Sequence, residues 1–152
     1  MKGFTLIELI ITLGIIVVLA GVGFLGILNY KNIQSVNSTA QGIITVLRNA
    51  QNRSLSQEGG SRWGVHFENP SGANDFYDLF HGASYTTSGL VSRTALPSGV
   101  EFVLPPIGSS STVIFYSVTG LPDNPLTIKI SLTAAPSVSS TIIINQNGRI
   151  LY

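Results

Sequence analysis

Twenty consecutive residues, Leu9 to Leu28, carry no charge, and one carboxylate, Glu8, stands at their head. As an α-helix this run is roughly 30 Å long, the thickness of a bilayer's hydrocarbon core. β-Branched residues crowd Ile10 to Val18, yet in lipid each backbone amide must bond within the protein, so helix wins over strand. Gly14, Gly21, Gly23 and Gly26 would each cost about 1 kcal/mol in an aqueous helix, whereas in a membrane small residues let helices approach closely. The run predicts a membrane-spanning helix. The charged fraction, 10% of 152 residues, lies well below the roughly 25% of soluble domains and points the same way.

Glu8 needs a reason, because a carboxylate deep in a bilayer costs on the order of 3 kcal/mol. One reading sets it in the first helical turn at the interface, where the helix dipole favours an anion. The other pairs it with a cation that processing or assembly supplies.

The residues around it, Gly3-Phe4-Thr5-Leu6-Ile7-Glu8 behind a short basic leader, resemble the class III signal of type IV prepilins and type II secretion pseudopilins. The resemblance implies cleavage between Gly3 and Phe4 by a prepilin peptidase on the cytoplasmic side and N-methylation of Phe4. It implies that Glu8 meets the N-terminal amine of a neighbouring subunit. Two buried opposite charges offset one another's desolvation, which favours docking in the correct register. The implied partners are other pilin or pseudopilin subunits, the peptidase and an inner-membrane assembly platform. The implied location is the inner membrane, single-pass, with the C-terminal domain outside the cytoplasm. Lys2 on one side and Lys31 and Arg48 on the other do not fix that orientation by charge. Many pilins carry a proline in the second half of this helix; here Gly21, Gly23 and Gly26 stand there instead. Val18-Leu19-Ala20 before Gly21 also satisfies the small-residue rule of secretory signal peptidase, which would release a soluble domain cut after Ala20. The very short basic region and Glu8 argue against that alternative.

Beyond the span, Ile33, Val36, Ala40, Ile43, Leu47 and Ala50 recur every three or four residues, the stripe of an amphipathic helix. Core packing is favoured over a coiled coil, since charges flanking the stripe are few. Gly59-Gly60 is the stop signal. The expected organisation is a leader at 1–3, a membrane and assembly helix at 4–28, its amphipathic continuation at 29–58, and a β-rich domain at 59–152.

After Gly60 short β-rich runs alternate with turn chemistry. Strands are expected at Arg62–Glu68, Tyr77–His81, Gly99–Leu104, Val113–Val118, Leu126–Leu132, Thr141–Asn145 and Arg149–Tyr152. Asn147-Gly148 between the last two is a strong hairpin signal. The fold class is therefore α+β, a long helix followed by a mainly antiparallel β-domain. Four short motifs, Arg48 to Gln51, Leu96 to Val100, Phe115 to Gly120 and Asn147 to Ile150, resemble the GspH/FimT group of minor pilins and pseudopilins. That resemblance implies a two-sheet domain packed on the helix.

Catalytic chemistry finds little support. With no cysteine and two histidines, a thiolate nucleophile is excluded and a typical zinc site cannot close. His66 and His81 lie in β runs beside aromatics and read as structural. Ser109 to Ser111 read as a mobile linker, with no nucleophile elbow around them. Glu68, Asn69, Asn74, Asp75 and Asp78 offer hard oxygens for calcium but lack EF-hand spacing, so a solvated turn is favoured. No phosphate-binding glycine loop is present, and no metal, cofactor or enzymatic activity is expected. The rival function is DNA binding by a filament-borne subunit through Arg149, Lys129 and Arg93. A lone basic residue after Gly148 releases few counterions, so nucleic acid is not favoured as a partner.

Overall fold

The computed structural model describes residues 4–152, without the side chains of 22–30 and 32. The leader expected at 1–3, Gly3 included, lies outside the described residues. A single helix, α1 (Leu6–Leu55), runs through two compact units, one ending at Gln34 and one from Ser35 to Tyr152.

In the first unit every described side chain from Phe4 to Gly21 is exposed, among them Leu6, Ile7, Leu9, Ile10 and Ile11. Among the described residues no helix is long and apolar enough to cross a membrane. The expected span begins within them at Leu9, but the side chains of its second half, from residue 22, lie outside them.

The second unit is built on the helical stripe. Val36, Ala40, Ile43, Ile44, Leu47 and Ala50 are all buried, and Thr39 and Ser54 fall on the same side. Ile33, expected to open the stripe, is instead 48% exposed and belongs to the first unit. The helix stops where the chain turns left-handed, at Gln57 (φ 53°) and then Gly59 and Gly60 (φ 65° and 64°). Only glycine takes that conformation without a steric penalty from Cβ.

Eight strands follow: β1 (Trp63–Asn69), β2 (Phe76–His81), β3 (Leu90–Ala95), β4 (Val100–Leu104), β5 (Ser109–Phe115), β6 (Leu126–Leu132), β7 (Ala135–Ile144) and β8 (Ile150–Leu151). They form two four-stranded antiparallel sheets, in the orders β3-β2-β1-β5 and β4-β6-β7-β8. The inner faces of both sheets share one core with the helix. Trp63, Val65, Phe67, Val113 and Phe115 come from the first sheet, and Phe102, Ile128, Ile130, Ile142 and Ile144 from the second. The expected α+β architecture holds, with a helix packed on two antiparallel sheets.

Two expectations are corrected. Ser109 to Ser111 are not a linker: they pair with Asn69, Glu68 and Phe67 as the first half of β5. Their partners are backbone groups, to which a serine side chain is irrelevant. Val118, expected at the end of that strand, lies beyond it with φ 71°, in a turn that carries its amide back to the Ser54 carbonyl at 3.2 Å. β3 is an additional strand; all six of its residues are exposed.

The outer face of the first sheet is also covered. A Cβ on Gly64 would lie 2.6 Å from the Val113 carbonyl oxygen and 2.7 Å from the Phe80 ring. Glycine there lets Phe80 lie flat on the sheet, fully buried. Tyr85, from the loop after β2, lies over His66 with ring centroids 3.8 Å apart and near-parallel planes, and meets Phe80 edge-on.

Candidate functional site

Thr5 and Glu8 form a reciprocal cap at the start of α1. The Thr5 amide and hydroxyl each donate to Glu8 Oε2 at 3.3 Å, and the Glu8 amide donates to Thr5 Oγ1 at 3.4 Å. The Leu9 amide donates to the Thr5 carbonyl at 3.3 Å as the first helical bond. This is a capping box: the first helical amides have no partner inside the helix, and the two side chains answer each other's backbone. All these groups are solvent-exposed. The box therefore orients the carboxylate while leaving it accessible. Glu8 accordingly sits in the first helical turn. Thr5 was not singled out from sequence, although Thr-x-x-Glu before an apolar run is a cap signature.

At the other end of the helix, three of the four short motifs converge. Gln51 Nε2 donates to the Gly120 carbonyl at 2.9 Å and to the Gly148 carbonyl at 2.8 Å. Both glycines have positive φ, 63° and 73°. A Cβ on Gly120 would fall 2.8 Å from Leu55, so the turn closes on the helix only because that atom is missing. The fourth motif, Leu96 to Val100, turns into β4, with the Leu96 amide on the Asp75 carbonyl at 2.8 Å and Val100 on Pro97 at 3.1 Å.

The residues considered for calcium do not make a solvated turn. Asn69, Asp75 and Asp78 are buried. Asn69 Nδ2 donates to the carbonyls of Phe102 and Pro105, both at 2.9 Å, and Asp75 accepts the Phe102 amide. Burial pushes the Asp75 carboxyl above its usual value, against the pull of that amide. Asp78 accepts a two-pronged bond from Arg93, at 2.9 and 2.8 Å, and the Tyr85 hydroxyl at 2.6 Å. Burial raises Asp78, but Arg93 and Tyr85 outweigh it and hold its carboxyl below the usual range. The Asp75 and Asp78 oxygens face protein donors, and among the described residues no three His, Asp or Glu side chains gather as metal ligands. Asn74 is exposed, and Glu68 reaches His66 Nε2 at 3.3 Å.

Of the cations considered for DNA, Arg93 is tied to Asp78 and lies 3.8 Å over the Phe76 ring. Lys129 is half-buried on β6, and Arg149 is exposed in the β7–β8 turn. Arg93 thus belongs to the first sheet and Lys129 to the second, with Arg149 in a turn of the second. His66 is buried with Nδ1 2.7 Å from Thr112 Oγ1, while His81 is exposed beside Trp63.

Residues 1–24 match the family model of the prokaryotic N-terminal methylation motif. No curated protein matches the chain. Among solved structures, the type IV minor pilin FimU of Pseudomonas aeruginosa strain PAO1 superposes with a TM-score of 0.58 at 14% identity, over 78% of this chain and 87% of that one. The chain thus joins an N-terminal methylation motif to a fold shared with this type IV minor pilin.

Proposed function

We propose that this chain is a structural subunit, and a minor one, of a type IV pilus or type II secretion pseudopilus. On this reading a prepilin peptidase cleaves between Gly3 and Phe4, Phe4 becomes the N-methylated terminus, and α1 anchors the subunit in the inner membrane before carrying it into the filament. The observation that supports it most directly is the placement of Glu8. It is an exposed carboxylate, oriented by Thr5, at the head of a helical surface whose described side chains include exposed Leu9, Ile10, Ile11, Leu13 and the run Ile15 to Leu19. A surface of that kind is stable only in lipid or against other helices. The single acid at its head then gives the packing a register, because it needs a cation at one height. The Gln51 contacts and the pairing of buried Asp78 with exposed Arg93 are contacts within the domain.

The test is the mature N-terminus. Coexpression with a prepilin peptidase should remove Met1 to Gly3 and leave N-methyl-Phe4 in the mass spectrum. A terminus at Gly21 would sink the reading and support a secreted domain instead.

A further inference from the structure

The turn after β5 stands where α1 ends. Its Val118 amide donates to the Ser54 carbonyl at 3.2 Å, and a Cβ on Gly120 would fall 2.8 Å from Leu55. The turn also closes on itself. The Gly120 amide donates to the Tyr116 carbonyl at 2.9 Å, and the Tyr116 amide to the Leu121 carbonyl at 2.8 Å. These bonds gather Leu55, Tyr116, Val118 and Leu121 at one place, where they are 44, 39, 63 and 42% exposed. Single apolar side chains on a surface are ordinary, whereas a group around one turn marks a contact surface.

Val118 has a backbone ill suited to its type. Its φ of 71° is left-handed, where a β-branched side chain is strained and glycine or asparagine is at ease. The side chain gains no burial in return. It adds nothing to the domain's own packing and leaves its methyl groups in solvent. Backbone strain of this kind gathers at ligand contacts.

The margin of the patch is cationic. Arg62 lies 4.6 Å over the Tyr116 ring, an arrangement that holds the guanidinium in place. Arg149 follows Gly148, where an added Cβ would lie 3.8 Å from Leu121. Both arginines are exposed and have no ion-pair partner among the described residues. The neighbouring acids are engaged, Glu58 with Arg53 at 3.4 Å and Asp123 with the amides of Ile114 and Asn124 at 3.0 and 2.8 Å. An open depression of about 360 Å³, lined by Gly60, Arg62, Gly82 and Ser117 among others, includes no acid.

We propose that this turn docks an acidic, aliphatic segment of another protein. Aliphatic side chains of the segment cover Val118, Leu55 and Leu121, and a carboxylate enters the depression to meet Arg62. Arginine takes a carboxylate through two parallel bonds, and unpaired cations at the margin attract acidic partners and repel basic ones. A depression holding one arginine suits a side chain of a polypeptide better than a flat lipid surface. The contact belongs to the second unit and does not depend on Glu8.

The probe is a fluorescent peptide of about twelve residues built of leucine and glutamate, set against its leucine–lysine counterpart. Anisotropy reads its binding to the full chain reconstituted in phosphatidylcholine nanodiscs. The parent should bind the glutamate peptide in preference to the lysine one. Val118→Asn should weaken that binding about tenfold, the effect of losing one buried valine. Because asparagine accepts the left-handed backbone, the urea midpoint of the detergent-solubilised variant should hold or rise. Arg62→Glu should reverse the preference between the peptides. Equal binding of the two peptides, undiminished binding in Val118→Asn, or an unreversed preference in Arg62→Glu overturns the proposal. So does a lowered urea midpoint in Val118→Asn, since the valine would then serve the fold. Attachment to phosphatidylglycerol vesicles that Val118→Asn abolishes would overturn it in favour of a lipid surface. Pairing of nanodiscs that Val118→Asn abolishes would overturn it in favour of a second copy.

Discussion

The Gln51 side-chain amide donates to the carbonyl of Gly148, 97 positions away, at 2.8 Å, and the same nitrogen serves Gly120 at 2.9 Å. One helical side chain thereby ties down the turn after β5 and the final hairpin. Both carbonyls belong to left-handed glycines, whose peptide planes are turned out of any sheet ladder. Gln51→Ala leaves two partly buried acceptors unpaired and should cost about 1–2 kcal/mol. Gln51→Glu should cost at least as much, since a carboxylate would face two carbonyl oxygens. Urea unfolding of the detergent-solubilised chain checks both. An unshifted midpoint in Gln51→Ala would mean that the meeting of these motifs carries no stability.

Gly64 sets how closely the outer layer packs on the first sheet. Its missing Cβ leaves room for Phe80, which would otherwise lie at 2.7 Å. Gly64→Ala should destabilise by about 1–3 kcal/mol, the usual range for overpacking. Because one of the obstructing groups is a side chain, Phe80→Leu in the same chain should recover part of the loss. The Val113 carbonyl, at 2.6 Å, cannot give way as easily, so recovery should stay incomplete. Paired unfolding curves for the single and double variants decide this.

Two buried aspartates should tilt the acid stability profile in opposite senses. Asp75 has a raised folded pKa, so between the ordinary value of 3.8 and that raised value the folded state holds more protons than the unfolded. Its contribution therefore falls as pH rises through that window. Asp78 is depressed below 3.8; its contribution is full above 3.8 and is lost as pH falls through the lowered folded value. Asp75→Asn, which keeps an acceptor for the Phe102 amide, should flatten the profile above 3.8. Asp78→Asn should lower stability at neutral pH and flatten the profile below 3.8. Thermal melts across the acid range would show whether the two variants act in these separate windows.

The parts of this fold legible from sequence are those in which side chains carry the pattern. β6 was expected at Leu126–Leu132 and lies there, because Ile128, Ile130 and Leu132 alternate into the core. The stripe from Val36 to Ala50 is buried at each of its apolar positions. What escaped is held by backbone or by long-range polar contacts. β3 is joined to β2 with all its side chains exposed, and the serines of β5 are placed by pairing with β1. Asp75 and Asp78 look like loop acids until β4 supplies an amide and β3 an arginine. At the N-terminus Glu8 was legible as the anomaly in an apolar run. Its partner Thr5 was equally visible as Thr-x-x-Glu, a local signal overlooked beside the longer one.

That cap sharpens the test of Glu8. Glu8→Ala removes the charge and also the acceptor for the Thr5 amide and hydroxyl, so it should fray the first turn by about 1 kcal/mol as well as discharge it. Glu8→Gln keeps a side-chain oxygen at the same position, where glutamine also closes a capping box, and removes the charge alone. Both variants should still insert, more easily by up to about 3 kcal/mol if the residue reaches the hydrocarbon core. Both should still be cleaved after Gly3. Incorporation beside a neighbour should fail, because the neighbour's Phe4 amine would be buried without its carboxylate, at a cost of about 3–5 kcal/mol. Thr5→Ala separates orientation from charge: the carboxylate remains but loses its hydroxyl partner, so incorporation should weaken rather than vanish. A first subunit with no neighbour above it escapes this requirement, so the measurement is crosslinking to partner subunits through single cysteines, not surface display. If Glu8→Gln crosslinks as well as the parent, the carboxylate serves only to cap the helix, and the assembly contact lies elsewhere.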